Sequence, residues 1–323
     1  MNIVLAGSVS FSRVTLERLL AHDANIVGVL GLAESKSAGV SDYARLDGLG
    51  VPYMDFESIN ATGVVEKVRE WAPDVMFVVG LSQLVKAELL AIPRMGCIGF
   101  HPTHLPRGRG RAPVAWMVYD ASPGAASFFL MDEGTDSGPL FVQEPFAIGE
   151  TTTSEEAIVI VREAIARALD RWLPRLLGGE WNPEPQDESR ASYLGKRSAE
   201  DGLIEWSHSA VEIDRLVRTA GRPYPGAYTY VGDARVLIWR TSIERNVPFR
   251  GVIGRVLKIE DDGALLVQTG DGLLWVHELE IASAETRPRI AVGTRLGYAA
   301  QDEIFALRRR VAALEKLLSS RGQ

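Results

Sequence analysis

Gly96-Cys97-Ile98-Gly99-Phe100-His101-Pro102-Thr103-His104-Leu105-Pro106-Arg107-Gly108-Arg109-Gly110-Arg111-Ala112-Pro113 is an apolar run that ends in a histidine and opens into a loop of Gly, Pro and Arg. A second apolar run, 125–131, opens into Met131-Asp132-Glu133-Gly134-Thr135-Asp136-Ser137-Gly138. If both runs are neighbouring strands of one parallel sheet, His101 and Asp136 share its carboxyl edge, where open α/β sheets bind ligands. Pro102 favours an extended conformation at His101 and aims its side chain out of the loop. A carboxylate beside an imidazole fixes its tautomer and stabilises its charged form, as general acid–base work requires.

Working outward, short Val/Ile/Leu runs at 3–6, 26–30, 74–79, 97–100, 125–131 and 140–142 alternate with helix-period segments at 10–20 and 154–177. Unbroken apolar runs suit strands buried on both faces, and alternation with helices implies a mostly parallel sheet. Ile158, Val161, Ile165, Leu169, Trp172 and Leu176 form one stripe of the long helix, which the threonines before it are placed to cap. The expected fold is α/β: a Rossmann-like catalytic domain over 1–180, then a Gly/Pro-bearing linker over 181–202. Short strands at 227–231, 235–240, 252–258, 263–269 and 273–279 predict a β-rich, OB-like domain over 203–300. A terminal helix spans 301–323. Its Ile304, Leu307, Val311, Leu314 and Leu318 recur at heptad-like spacing. Fewer than three heptads is short for a coiled coil, so packing on its own domain is the favoured reading.

The chain has 323 residues, a net charge of −7 and one cysteine. The acidic balance argues against a large nucleic-acid footprint. Cys97 cannot form an internal disulfide and reads as core filler in a reducing compartment. There is no signal-peptide pattern and no apolar stretch near the roughly 20 residues of a membrane span, so a cytoplasmic location and no membrane partner are expected. Gly7-Ser8-Val9-Ser10-Phe11 lacks the dinucleotide glycine fingerprint. His101-x-x-His104 without a third ligand is a poor metal signal, and no metal is expected.

Together the motifs resemble the formyltransferase family that uses N10-formyltetrahydrofolate. They are Gly96-Cys97-Ile98-x-x-His101, Leu105-Pro106, Arg109-Gly110-Arg111-Ala112-Pro113 and Asp132-x-Gly134-x-Asp136-x-Gly138. Gly202-Leu203-Ile204-Glu205-Trp206 and Arg222-Pro223-Tyr224-Pro225-Gly226-Ala227 resemble the C-terminal domain of its sugar N-formyltransferases. The resemblance implies catalytic roles for His101 and Asp136. Gly99 stands where the family has an Asn that hydrogen-bonds the formyl oxygen, and loss of such a donor costs about 10²–10³ in rate. A backbone amide, a water beside the small Gly99, or Thr103 are candidate replacements; a branch with a modified site is also open. Phe77, Gly80, Leu81, Leu84, Met131, Asp132 and Gly134 are expected around the folate, and Thr103, Arg109, Arg111 and Tyr224 around the amine substrate. The tRNA branch carries a basic loop after its second strand; here residues 31–40 are nearly neutral. The expected substrate is therefore a nucleotide-linked amino sugar, not a nucleic acid. Another small amine, such as an ornithine-type or peptide precursor, and a non-catalytic folate or nucleotide-sugar binding protein are the alternatives. The resemblance also allows a homodimer, with the terminal helix as one seam.

Overall fold

The computed structural model describes residues 1–283, 288–298 and 300–321. It divides into two compact units, Met1–Asp201 with Arg218–Pro225, and Gly202–Val217 with Gly226–Gln323.

The first unit is built on β1 (Asn2–Gly7), α1 (Ser10–Ala21), β2 (Asn25–Leu32), β3 (Tyr53–Phe56), α2 (Thr62–Trp71), β4 (Val75–Val79), α3 (Ala87–Leu90) and β5 (Gly96–His101). There follow β6 (Arg109–Gly110), α4 (Pro113–Asp120), β7 (Gly124–Leu130), β8 (Leu140–Phe146), α5 (Ser154–Leu177) and β9 (Tyr193–Leu194). Seven strands form one sheet in the order β3-β2-β1-β4-β5-β7-β8, and the first five are parallel. Their apolar runs are buried on both faces. Ile3, Leu5, Phe77 and Ile98 face the stripe of α5, where Trp172 lies against Phe77, Phe128 and Phe141. Val4, Met76, Val78 and Cys97 face Val64, Val65 and Val68 of α2 and Leu89 of α3. Thr153 caps α5: its hydroxyl accepts from the Glu156 amide, and the Glu156 carboxylate accepts from the Thr153 amide.

The shared parallel edge expected for the two signature strands is not what forms. β7 is beside β5 but antiparallel, with Gly99 opposite Phe129 and His101 opposite Ser127. The connection explains it. Eleven residues, 102–112, are spent as loop, and α4 has eight. A helix about 12 Å long does not span a strand of about 20 Å, so β7 starts at the edge where β5 ended. Residues 131–139 then carry Asp136 back to His101 as a loop.

The second unit contains most of α6 (Ala210–Ala220), then β10 (Ala227–Val231), β11 (Ala234–Glu244), β12 (Val256–Ile259), β13 (Leu265–Gln268), β14 (Leu273–Ser283) and α7 (Ala300–Arg321). The strands form an antiparallel sheet in the order β10-β11-β14-β13-β12. Residues 294–297 bridge its two outer strands. Val256 donates to the Thr294 carbonyl at 3.0 Å and Gly297 to the Tyr230 carbonyl at 2.8 Å, giving a partly closed barrel.

Two expectations need correction. Residues 181–201 are not a free linker: they belong to the first unit, and β9 pairs with β6 inside the signature loop. Nor does α7 pack on its own domain. Every described side chain from 300 to 318 is exposed, because the helix carries a narrow heptad seam rather than the wider stripe of a domain-packed helix. Of the expected ranges, residues 284–287, 299, 322 and 323 lie outside the described residues.

Candidate active site

His101 closes β5 and is 5% exposed. Its Nε2 lies 2.8 Å from the Gly108 carbonyl oxygen, which only accepts, so this nitrogen is assigned the proton. Its Nδ1 faces Asp136 Oδ2 at 3.5 Å. Burial pushes the imidazole below the ordinary histidine range, against the opposing pull of the Asp136 carboxylate and the Gly108 carbonyl. At neutral pH the ring is therefore neutral, with its lone pair on Nδ1. Once protonated it has acceptors on both nitrogens. The ring is a proton acceptor whose charged form is already accommodated.

Asp136 has a positive φ of 51°, and its Oδ2 accepts from the Gly110 amide at 2.9 Å. Gly110 is required there. A Cβ on it would come within 2.6 Å of the Leu194 carbonyl oxygen, and its φ is 109°. The loop behind His101 is braced as well. Ser127 Oγ donates to the Thr103 carbonyl at 2.7 Å, and Gln143 Nε2 donates to the Leu105 carbonyl at 3.0 Å.

Arg109 is fully buried. Its guanidinium donates to Gln186 Oε1 from Nε and Nη2, at 3.2 and 2.9 Å, and to both Glu188 carboxylate oxygens, at 2.9 and 2.5 Å. Pairing with Glu188 raises its pKa and lowers that of Glu188. Gln186 Nε2 in turn donates to the Asp136 and Gly138 carbonyls, at 2.8 and 2.7 Å. One amide thus ties both signature loops together. Gln186, Glu188 and Tyr193 were not legible as site residues, since their partners lie 77 to 84 positions away.

Several expected site residues have other work. Arg109 is saturated by its own chain and offers nothing to a phosphate; Arg111 beside it is exposed. Thr103 is buried, with its hydroxyl on the Gly108 carbonyl at 3.2 Å, so it has no free donor for an oxyanion. Phe77 points into the α5 side of the sheet, away from the face of His101, and is 0% exposed. The space beside Gly99 is taken by its neighbours: a Cβ there would meet Phe129 Cζ at 2.7 Å and Met131 Cγ at 3.0 Å. Phe129 is the cross-strand partner of Gly99 and lies over it.

Leu81 and Met131 pack against one cluster on the His101 face, beside Gly80, while Leu84 stands 83% exposed at the β4 edge. Asp132 and Gly134 are exposed in the Asp136 loop. Tyr224 lies near Asp42, whose carboxylate accepts from the hydroxyl of Ser10, the first residue of α1; burial pushes the Tyr224 phenol up to about 12. Burial likewise pushes the Cys97 thiol up to about 12, as fits core filler. An open cavity of about 550 Å³ lies at the opposite edge of the sheet, but its charged lining is paired within itself, Arg69 with Glu88 and Arg94 with Asp74. Among the described residues no group of three or more His, Cys, Asp or Glu could hold a metal, and no helix is long and apolar enough to cross a membrane.

A mostly parallel sheet that brings an imidazole and a carboxylate together at its carboxyl edge has the framework of an enzyme whose chemistry includes proton transfer. Residues 1–173 match the family profile for formyl transferases, and residues 196–288 the profile for the formyl transferase C-terminal domain. The chain belongs to the formyl transferase family. It is 32% identical to the methionyl-tRNA formyltransferase of Syntrophomonas wolfei subsp. wolfei over 298 residues, 89% of this chain and 93% of that protein. HypX from Aquifex aeolicus, solved with tetrahydrofolic acid, shares the fold at 17% identity and TM-score 0.64 over 88% of this chain; the chain spans 44% of its length. So does the N-formyltransferase of Helicobacter canadensis, solved with folinic acid and dTDP-3-aminofucose, at 13% identity and TM-score 0.60 over 86% and 99% of the two chains.

Proposed function

We propose that this formyltransferase moves the formyl group of N10-formyltetrahydrofolate to the amine of a nucleotide-linked amino sugar. The observation that carries this choice of acceptor is the neutral, self-paired segment after β2. Its cations are already engaged: Arg45 with Glu34 and Asp47, Lys36 with Glu57. A tRNA acceptor draws much of its affinity from Lys and Arg on phosphates, and residues 33–52 hold only two such side chains, each facing carboxylates of its own chain.

The unprotonated amine attacks the formyl carbon, and the His101–Asp136 pair takes the proton that the new ammonium releases. The carbon–N10 bond then breaks as N10 receives a proton, leaving tetrahydrofolate and the formamide. Asp136, less buried than the ring, faces the ammonium; Nδ1 stores the charge. Phe129 over Gly99 leaves no side-chain donor there, so the hydrogen bonds to the oxyanion fall to main-chain N–H groups, with the charge stored on the ring as electrostatic support. Leu81, Leu84 and Met131 flank the pteridine, with the Gly80 and Asp132–Gly134 main chain at its polar edge. Arg111 and Tyr224 remain for the amine substrate.

One observation favours a second reading, an acceptor of the methionyl-tRNA type: the 32% identity to such an enzyme over nearly the whole chain. The test offers N10-formyltetrahydrofolate with nucleotide-linked amino sugars, small amines and charged methionyl-tRNA, and reads release of tetrahydrofolate and a formyl-sized gain in mass. Formylated sugar is the expected product. Formylation of methionyl-tRNA alone transfers the assignment to the second reading.

A further inference from the structure

The terminal helix α7 is 22 residues long, and all its described side chains through 318 are exposed. Ile304, Leu307, Val311, Leu314 and Leu318 stand 48 to 71% exposed along one seam. Taking Ile304 as position a of a heptad, the a positions are Ile304, Val311 and Leu318, and the d positions Ala300, Leu307 and Leu314. In the central layers β-branched Ile304 and Val311 at a alternate with Leu307 and Leu314 at d, the pattern that selects two parallel strands over higher orders.

The flanking charges point the same way. The g positions hold Glu303 and Arg310, and the e positions hold Arg308 and Glu315. In a parallel pair each g meets the e five residues further along the second copy. That sets Glu303 against Arg308 and Arg310 against Glu315, twice each across the twofold axis. The antiparallel pairing of the same seam sets Arg308 against Arg308 and Arg310 against Arg310. Glu303 also accepts from the Tyr298 hydroxyl just before the helix, an anchor at the start of the seam.

We propose that α7 is a parallel two-stranded coiled coil with a second copy of this chain, and that it makes the protein a homodimer. The apolar seam supplies the association, and the e and g charges fix partner and direction. This inference is independent of the acceptor amine.

Sedimentation of the full-length protein over a range of concentrations reads the mass. A concentration-dependent dimer is expected, and Leu307→Glu with Leu314→Glu should return it to monomer at every concentration with its melting curve unmoved. A wild-type chain that stays monomeric throughout, or a double variant that stays dimeric, overturns the proposal. Direction is read separately with Ala300→Cys at a d position, since Cys97 is buried. Mild oxidation should link two chains; a dimer that does not link is not parallel. Charge supplies a third reading. Glu303→Arg with Glu315→Arg, and Arg308→Glu with Arg310→Glu, should each be monomeric alone and dimerise when mixed. Homodimerisation of either variant alone removes the role given to the e and g charges.

Discussion

Two loops at the carboxyl edge of the sheet are built in opposite ways. The loop after β5 is tied at its buried polar groups: the His101 ring to Gly108, Gly110 to Asp136, Arg109 to Gln186 and Glu188, Thr103 to Ser127. The loop after β4 leaves Leu84 83% exposed and is held chiefly by Gln83 and Asn60. Proton transfer tolerates little displacement, since misplacing reacting groups by about 1 Å can cost on the order of 10² in rate. A flat apolar ligand needs a surface, and a surface can yield. On the proposed function, the contrast assigns the chemistry to the tied loop and the donor to the open one.

The sharpest break is His101→Ala. Transfer should fall by about 10²–10⁴, the usual contribution of a positioned acid–base group, while the protein stays folded. Single-turnover rates beside a melting curve check it, and unchanged turnover would falsify the role of the ring. Next is Gln186→Glu, which keeps an acceptor for Arg109 but turns a carboxylate toward the Asp136 and Gly138 carbonyls. The expected result is a tenfold or larger fall in kcat with little change in donor KM. The Gln186→Ala variant should also be destabilised by about 1–3 kcal/mol, because it strands buried donors and acceptors. The acid limb of the pH profile should move as well, and a loss in kcat that leaves that limb in place would reduce Gln186 to general scaffolding.

That limb is itself predictable. Burial lowers the His101 pKa, so the neutral base persists as pH falls through about 6.5, and activity should decline only below that value. Stability falls in the same direction, but from the unfolded value downward. The unfolded histidine binds its proton first, so folding stability begins to fall as pH drops below about 6.5 and levels off below the folded pKa. A kcat/KM profile set beside melting temperatures at each pH would show both. Gly99→Asn should destabilise by about 1–3 kcal/mol, because Phe129 occupies its place, and should gain no rate. Combined with Phe129→Ala, it should cost less than the sum of the two single changes; strict additivity would mean the ring does not control that position. The smallest effect belongs to the open loop: Leu84→Ser should raise donor KM about tenfold or less, with kcat and melting unmoved.

Much of this was legible in the chain. Strands buried on both faces show as unbroken apolar runs, and the α5 stripe repeats at the helical period, so the sheet and its long helix could be written down residue by residue. β3, only four residues long, has too little pattern to read. The direction of β7 was misjudged because apolar runs carry no polarity; the short helix before it does. His101 and Asp136 were recognisable through motifs that chemistry keeps local. Gln186 and Glu188 were not, because a polar stretch bearing prolines looks the same whether it hangs in water or closes over a buried arginine. Burial also separated residues that composition treats alike: Arg109 and Arg111 are two positions apart, one enclosed and one free.

The clamp on Arg109 has a consequence for synthesis. His101 and Asp136 leave the ribosome well before Gln186, Glu188 and Tyr193, and the long helix α5 lies between. A nascent chain ending at α5 contains all seven strands of the first unit's sheet together with His101 and Asp136, yet an unpaired guanidinium sits where the loop must close. The first unit is thus unfinished until translation has passed residue 193, and a stalled or clipped chain of that length has the His101–Asp136 pair without the clamp that aligns its loops.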